Sequence, residues 1–362
     1  MDPLSQGVLG AVAPLAAGKK DGLFAGVLGL LSGMAADLDV LIRSETDPIL
    51  FLEFHRQFTH SLIFIPVGGL ICALLLYGLF ARRRLNFAKT YLFCTLGYAT
   101  HGLLDSCTSY GTQLFWPFSS TRIAWHNISI IDPVFTLPIL LCVVVGALRN
   151  QYRWGQAGLL WAVVYLGFGM VQRERAEMLG VEVAATRGHT PVSVEAKPSF
   201  GNLLLWKSIY EHDGYYYIDA VRVAMTTKVF PGEAIQKLDL ARDFPWLDRA
   251  SQQARDVERF RWFSAGYLAK SPTIDGLIVD MRYSMIPNRG DGLWGIQLSR
   301  DAPANAHIGY RMMRDASEPT RNIFLAMVFD NDEPISPSFR PPHKTAECSA
   351  QPAVVSEVEL CR

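Results

Sequence analysis

Residues 60–80 read HSLIFIPVGGLICALLLYGLF, and after the opening His60 the stretch carries no charge. A helix that crosses a bilayer needs about 20 mostly apolar residues, so this run is long enough to span. Similar runs lie on both sides of it. Ile131–Leu148 carries only Asp132, at its start, and Gly155–Val171 has no charged residue. Phe87–Leu104 holds Lys89 near one end and His101 near the other. Gly22–Ala36 is short and stops at Asp37; it either crosses obliquely or pairs with Gly7–Ala17 as a re-entrant hairpin. Buried helices of a soluble domain are the alternative reading, but several uncharged runs of this length are unusual in one soluble domain.

Composition agrees. Half of the 362 residues are hydrophobic, and mean hydropathy is +0.16 despite 34 acidic and 34 basic side chains. Apolarity and charge are therefore segregated along the chain. The zero net charge gives no reason to expect nucleic acid as a partner. Basic residues gather in alternate loops: Lys19 and Lys20, then Arg82, Arg83, Arg84 and Lys89, then Arg149 and Arg153. Arg43, Arg56 and Arg122 fall in the opposite loops. The bias predicts that the richer side is cytoplasmic, with everything after Val171 outside. The opening Met-Asp-Pro lacks a basic segment before the first apolar stretch, so no cleaved signal peptide is expected.

From about Arg173 the apolar runs shorten, and Pro, Gly and charge become regular. Leu203–Tyr210, Tyr215–Met225, Gly276–Pro287 and Leu293–Ser299 have the β-branched and aromatic content of strands. Asp248–Ala265 is more helical. The expected fold is mainly α: a polytopic transmembrane helical bundle of about four to five spans over 1–172, with an extramembrane α+β domain over 173–333. Residues 334–362, rich in Pro and Ser, read as a flexible tail. Cys348 and Cys361 could bridge in an oxidising compartment; the other four cysteines lie in or beside apolar runs, where a thiol behaves as a small hydrophobe.

On that topology the polar residues fall on one face. Asp37 and Asp39 end the first span, His55 and His60 precede the next, His101 and Asp105 end another, and His126 and Asp132 precede the span after it. All lie opposite the arginine loops. Ionisable groups near membrane depth need a cavity or a partner, and a metal ion is such a partner for mixed imidazole and carboxylate. Zinc suits the set best, with manganese or iron as alternatives. His101 and Asp105, in HGLLD, are four apart and share a helix face. Asp132, followed by Pro133, reads equally well as a helix cap, and His126 reads better as a structural residue.

The stretches DPLSQGVLG, ADLDVL, HRQFTHS and HGLLDSCTSYGTQLFWPFS, followed by IDP, resemble the YdjM-like membrane-bound metal-dependent hydrolases of bacteria, over roughly Met1–Leu148. The resemblance implies a multi-pass protein of the bacterial inner membrane with a helical metal site. The HxxxD element is also similar, more distantly, to that of zinc phospholipase C and P1-type nucleases. Mapped by motif, it implies Asp39, His60, His101 and Asp105 as ligands, then His55, with Asp132 and Asp2 as further candidates. One departure stands out: where the family has an Asp followed four residues on by His, this chain has Asp2 followed by Gln6.

The expected activity is hydrolysis of a phosphoester, lipid or lipid-linked, at the outer, periplasmic membrane–water interface. Asp37 is the candidate proton acceptor, and Arg56 the candidate guanidinium for a phosphate oxygen. Arg122 reads better as a headgroup contact. Thr59 and Ser61 could orient a ligand or cap a helix. Tyr110, Phe115, Trp116 and Phe118 suit an interfacial aromatic belt or a substrate entrance. Two rival readings are a metal-stabilised scaffold without catalysis and an ion-coupled transporter; the polar-free run Phe64–Phe80 counts against the latter.

Overall fold

The computed structural model describes residues 1–18 and 21–330. The expected tail at 334–362, the Cys348–Cys361 pairing and the basic pair Lys19–Lys20 lie outside the described residues. The chain opens with seven helices: α1 (Pro3–Ala17), α2 (Gly22–Met34), the short α3 (Leu50–Phe54), α4 (Ile65–Leu79), α5 (Phe87–Ser106), α6 (Pro133–Arg149) and α7 (Tyr152–Thr186). Among the described residues, three segments are long and apolar enough to cross a membrane: Gly22–Leu41, Leu62–Leu79 and Tyr152–Thr186. The runs read as spans at α5 and α6 fall short of that standard for different reasons. Lys89, His101 and Asp105 dilute α5, and α6 has only 17 residues.

Helix α1 packs against α2, α5, α6 and α7, with Val8, Ala11, Val12 and Leu15 fully buried. It forms an antiparallel hairpin with α2, since Gly7 lies beside Met34 and Gly18 beside Ala25. Small residues permit this closeness. A Cβ on Gly10 would stand 2.5 Å from the Gly29 carbonyl oxygen and 2.7 Å from Gly33 Cα. Close backbone approach is how membrane helices gain dispersion contacts when lipid removes the hydrophobic drive between them. The outward faces are apolar instead: Leu70, Leu74, Leu75 and Leu79 on α4, and Leu160, Val163, Val164 and Phe168 on α7, are all exposed. A surface this apolar suits hydrocarbon, not water.

The C-terminal domain contains two antiparallel four-stranded sheets. The first runs β1 (Val194–Pro198), β2 (Leu205–His212), β3 (Tyr215–Val223), β4 (Thr227–Gln236). Asp213 and Gly214, both at positive φ, make the tight β2–β3 turn, as a two-residue hairpin requires. After α8 (Leu240–Asp243) and α9 (Gln252–Phe263), the second sheet runs β5 (Leu268–Lys270), β6 (Leu277–Asp280), β7 (Trp294–Gln297), β8 (Gly309–Met312), and α10 (Glu318–Phe329) follows. Strand β6 stops at Asp280, well short of the Pro287 expected from composition. Its end is taken by an ion pair of Asp280 with Arg282 at 2.8 Å.

The expected boundary at 172/173 falls inside α7, which continues without a break to Thr186. The reason is packing: past the apolar half, α7 lies on β1, β2 and β3. Gln172 Nε2 donates to the Leu203 and Val223 carbonyls at 3.0 and 2.7 Å. The two regions also share a core, in which Ile49, Leu52 and Tyr110 pack with Phe260, Phe263 and Trp294. Arg259 of α9 ties this contact down through Asp47 at 2.7 Å and Glu53 at 2.5 Å.

Adding a methyl at Gly10 forces α1 and α2 apart, because its nearest neighbours are backbone atoms that cannot rotate away. Gly10→Ala is expected to destabilise the folded protein by about 1–3 kcal/mol. Thermal melting in detergent checks this, with Gly26→Ala, which has nothing within 4 Å of the added carbon, as the neutral control.

Candidate metal centre

Three elements converge on one buried point. After α2 the chain tightens into a 3₁₀ turn over Ala35–Leu41 that buries Asp39, while Leu38 and Leu41 face outward at 64% and 75% exposure. A second 3₁₀ turn, Phe58–His60, delivers His60. It follows Arg56, whose φ of 64° reverses the chain. Helix α5 supplies His101 and Asp105, one turn apart. Gly102 between them lets the His60 loop lie directly on the helix, since a Cβ there would stand 2.1 Å from the His60 carbonyl oxygen. Tyr98 fastens the same loop by donating to the Thr59 carbonyl at 2.8 Å.

Asp37, His60, His101 and Asp105 each place one ligand atom within 4.8 Å of all the others. The His60 and His101 Nε2 atoms are 3.0 Å apart. Asp37 Oδ1 is 3.3 Å from each of them. Asp105 Oδ2 is 3.2 Å from His60 and 3.6 Å from His101. Ligand atoms at about 2.0–2.1 Å from a tetrahedral ion stand roughly 3.3 Å apart, so these five edges match such an ion. The side chains of His60, His101 and Asp105 are fully buried, and that of Asp37 is 23% exposed.

The donor chemistry fits a cation as well. His101 Nδ1 faces the Gly33 carbonyl at 2.6 Å and can only donate to it. The Thr59 hydroxyl donates to Asp39 Oδ2 at 2.9 Å, so its oxygen accepts from His60 Nδ1, also at 2.9 Å. Both rings thus carry their proton on Nδ1 and point an Nε2 lone pair into the same space. Two lone pairs at that separation repel; a proton shared between the two nitrogens relieves this, and so does a metal ion seated among all four ligand atoms. Asp105 Oδ2 is buried and makes no well-aligned hydrogen bond; its close neighbours are the Arg56 Nε at 3.1 Å and the two imidazoles, which leaves a lone pair for a metal ion.

Asp39 has a different place. Its carboxylate meets His55 Nδ1 at 2.8 Å, the Arg56 amide at 2.9 Å and His60 Nδ1 at 3.2 Å. Engaged on both oxygens, it orients two imidazoles, as outer carboxylates do around metal sites. A second group, Asp37 with Asp39 and His55, also lies within 4.8 Å, so Asp37 is common to both.

Two expected ligands are not brought in. Asp2 caps α1 through the Ser5 amide at 3.0 Å and the Ser5 hydroxyl at 2.5 Å. Asp132 caps α6 through the Val134 and Phe135 amides at 3.1 and 3.2 Å, and accepts from the Tyr165 hydroxyl at 2.8 Å. Each carboxylate is consumed by orphan amides at a helix start. His126 is likewise outside both groups, with Glu195 as its nearest ion-pair partner at 4.0 Å.

Arg56 is 4% exposed and turned inward. Its Nε stands 3.1 Å from Asp105 Oδ2 and its Nη1 donates to Thr108 Oγ1 at 2.9 Å. Arg122 is not a headgroup contact: it stacks over Tyr110, Phe263 and Trp262 and donates to the Gly111 carbonyl at 2.9 Å. Burial there pushes its guanidinium down to about 10. Of the aromatic segment, Phe115 and Phe118 are exposed, whereas Tyr110 belongs to the shared core. Gln6 stands at the centre's edge, its Nε2 donating to Asp105 Oδ1 at 2.9 Å, with the Met1 amine on the same oxygen. Reading by motif had missed Tyr98, Gly102 and the Gly33 carbonyl, which fix the imidazoles. Only the glycine inside HGLLD was a visible signal.

Helix bundle, apolar exterior and buried His/Asp cluster together define a membrane protein with a candidate metal centre. The chain belongs to the YdjM inner membrane protein family, whose description matches residues 1–176. It is 34% identical over 144 residues to the inner membrane protein YbcI of Escherichia coli K12, covering 37% of this chain and 80% of that one. It is 25% identical over 137 residues to the uncharacterized protein YfhP of Bacillus subtilis 168, covering 38% of this chain and 39% of that one. The match thus spans about two fifths of YfhP. No solved structure matches.

Metal analysis of the purified chain is expected to find bound divalent metal that His101→Ala and Asp105→Ala both lose. Asp132→Ala is expected to keep the metal while losing roughly 1 kcal/mol of stability, the usual cost of a removed cap. Equal metal content in wild type and His101→Ala would remove His101 from the site.

Proposed function

We propose that this chain is a membrane-bound, metal-dependent hydrolase acting on a phosphoester at the outer, periplasmic membrane–water interface. The observation that carries the reading is the near-tetrahedral set of buried Asp and His ligand atoms, reached from solvent through Asp37. Zinc is the ion we assign to it, by donor type and by the spacing of the ligand atoms. The periplasmic assignment rests on Arg82, Arg83, Arg84 and Arg149, which lie at the opposite helix ends from the cluster. The C-terminal domain, joined to the cluster's own loops through Asp47, Glu53 and Tyr110, is then periplasmic too.

A divalent ion held there supplies Lewis acidity, which acidifies water and stabilises charge at a phosphoryl oxygen. The protein's residues divide the remaining work. His60 and His101 present fixed lone pairs. Asp39 and the Gly33 carbonyl hold those rings in the required tautomer. Arg56 balances the charge on Asp105 and is a positioning residue in this reading, since its guanidinium is committed to that carboxylate. Asp37, the accessible member shared by both groups, is placed to accept the proton of an attacking water. A site at membrane depth favours a lipid or lipid-linked phosphoester.

One observation favours a second reading. Four protein atoms suffice to close a tetrahedral site, which is how structural zinc is held. The chain would then be a metal-stabilised membrane scaffold. A panel of phosphomonoesters, phosphodiesters and carboxyl esters, run with metal-loaded and chelated protein, separates the two. The hydrolase reading expects turnover of a phosphoester that vanishes on chelation and falls at least about 100-fold in Asp37→Asn, the usual range for loss of general base catalysis. Bound metal with no turnover of any ester would leave the scaffold, and chelation would then lower the melting temperature alone.

A further inference from the structure

A cavity of about 340 Å³ lies where the C-terminal domain meets the α5–α6 loop. None of the cluster residues Asp37, Asp39, His55, His60, His101 or Asp105 lines it. Its lining holds four basic side chains, Lys197, Lys207, Arg282 and Arg314, and no carboxylate. Lys197, Lys207 and Arg282 are only 3–5% exposed. Burying charge is costly unless it is paired, and two of these are: Lys197 with Glu195, and Arg282 with Asp280.

Lys207 is not. Its Nζ donates to the Ser284 hydroxyl at 2.9 Å and the Arg289 carbonyl at 2.8 Å, both neutral, and it makes no ion pair among the described residues. Burial pulls its ammonium down to about 8, against the attraction of Asp291 and Glu233, neither of which comes within ion-pair distance of it. Ser109 supplies an independent sign. It lines the same cavity at 6% exposure, and its hydroxyl oxygen is buried without a hydrogen-bond partner. Buried polar atoms normally find partners, so this hydroxyl and the unpaired ammonium are what an anion would satisfy.

The remaining wall is apolar, including Ile130, Ile131, Met285 and Leu293. Two lining residues, Ile131 just before α6 and Phe200 in the β1–β2 loop, are exposed. A volume of about 340 Å³ is in the range of small-molecule sites, roughly 300–1,000 Å³, and far exceeds the ~30 Å³ share of a water molecule. An inorganic anion alone would leave most of it empty.

We infer that this cavity binds an anionic amphiphile, a phosphate-type head on Lys207 and Ser109 with its apolar body along the Ile130–Met285 wall. The inference is independent of the hydrolase reading, because the cavity shares no residue with the metal cluster.

The test is calorimetric titration of the full chain in phosphatidylcholine nanodiscs, with empty nanodiscs as blank. The probes are dihexanoyl phosphatidate, dihexanoylglycerol and inorganic phosphate. Saturable phosphatidate binding is expected, with dihexanoylglycerol and phosphate each at least ten-fold weaker. Lys207→Met is expected to weaken phosphatidate at least ten-fold. So is Ala316→Trp, which fills the cavity from an exposed lining position and leaves the core untouched. His101→Ala is expected to bind like wild type. Inorganic phosphate binding as tightly as phosphatidate would overturn the amphiphile assignment. Loss of binding in His101→Ala would place the ligand on the metal cluster instead. Undiminished binding in Ala316→Trp would overturn the site, and that variant decides alone if Lys207→Met does not fold.

Discussion

Two imidazole nitrogens facing each other across 3.0 Å, with carboxylate oxygens of Asp37 and Asp105 beside them, make an arrangement that needs positive charge, as a proton or a metal ion, at its centre. The rings cannot turn away. His101 is held by the Gly33 carbonyl and His60 by Thr59 and Asp39. The charges cannot be hydrated, because three of the four side chains are fully sealed. A cation at their centre resolves both problems together. Much of the surrounding structure follows from assembling that group: the paired 3₁₀ turns, the glycine between the α5 ligands, and Arg56 folded inward against Asp105.

The helices achieve this by approaching closely where they carry glycine. Gly29 is packed by Gly10 on one side and by Gly97 of α5 on another. This draws the end of α2, with its two aspartates, against the ligand-bearing face of α5. The C-terminal domain then finishes the loops. Tyr110, four and five residues beyond Ser106 and Asp105 along the chain, is buried in a core with Phe263 and Trp294. Tyr283 donates to the Ser109 carbonyl at 2.5 Å. The segment that follows the ligands is therefore anchored in the second domain, which makes the two regions one structural unit around the centre.

Some of this was legible in residue order. HGLLD states its own geometry, because positions four apart on a helix share a face. The gathering of Asp37, Asp39, His55, His60 and His101 at one end of the bundle followed from apolar run lengths and the placement of arginines. Asp2 and Asp132 looked equivalent to them by type and location. They differ only in what lies nearby: free amides at a helix start that take the carboxylate first. Arg122 misled for the same reason. A charged residue in an interfacial loop suggests headgroups, and nothing local shows that Trp262 and Phe263, distant in sequence, will cover it. Helix α7 runs across the boundary expected at 172/173, because hydropathy records where apolarity ends, not where a helix ends. Helix α7 keeps its hydrogen bonds and simply exchanges lipid for the first sheet as its neighbour.

Sequence alone determined that this is a membrane-embedded helical protein with a separate β-containing region, because uninterrupted apolarity and strand-like alternation are properties of consecutive residues. It also determined which end of the bundle collects the imidazoles and carboxylates. Only the tertiary structure decided which of them form a four-atom set, which merely orient or cap, and that a basic cavity lies at the junction with the C-terminal domain. Those outcomes depend on differences of a few tenths of an ångström in the distances between groups far apart in the chain. Such distances are set by close packing and by competition for hydrogen-bond donors, neither of which is written in the order of residues.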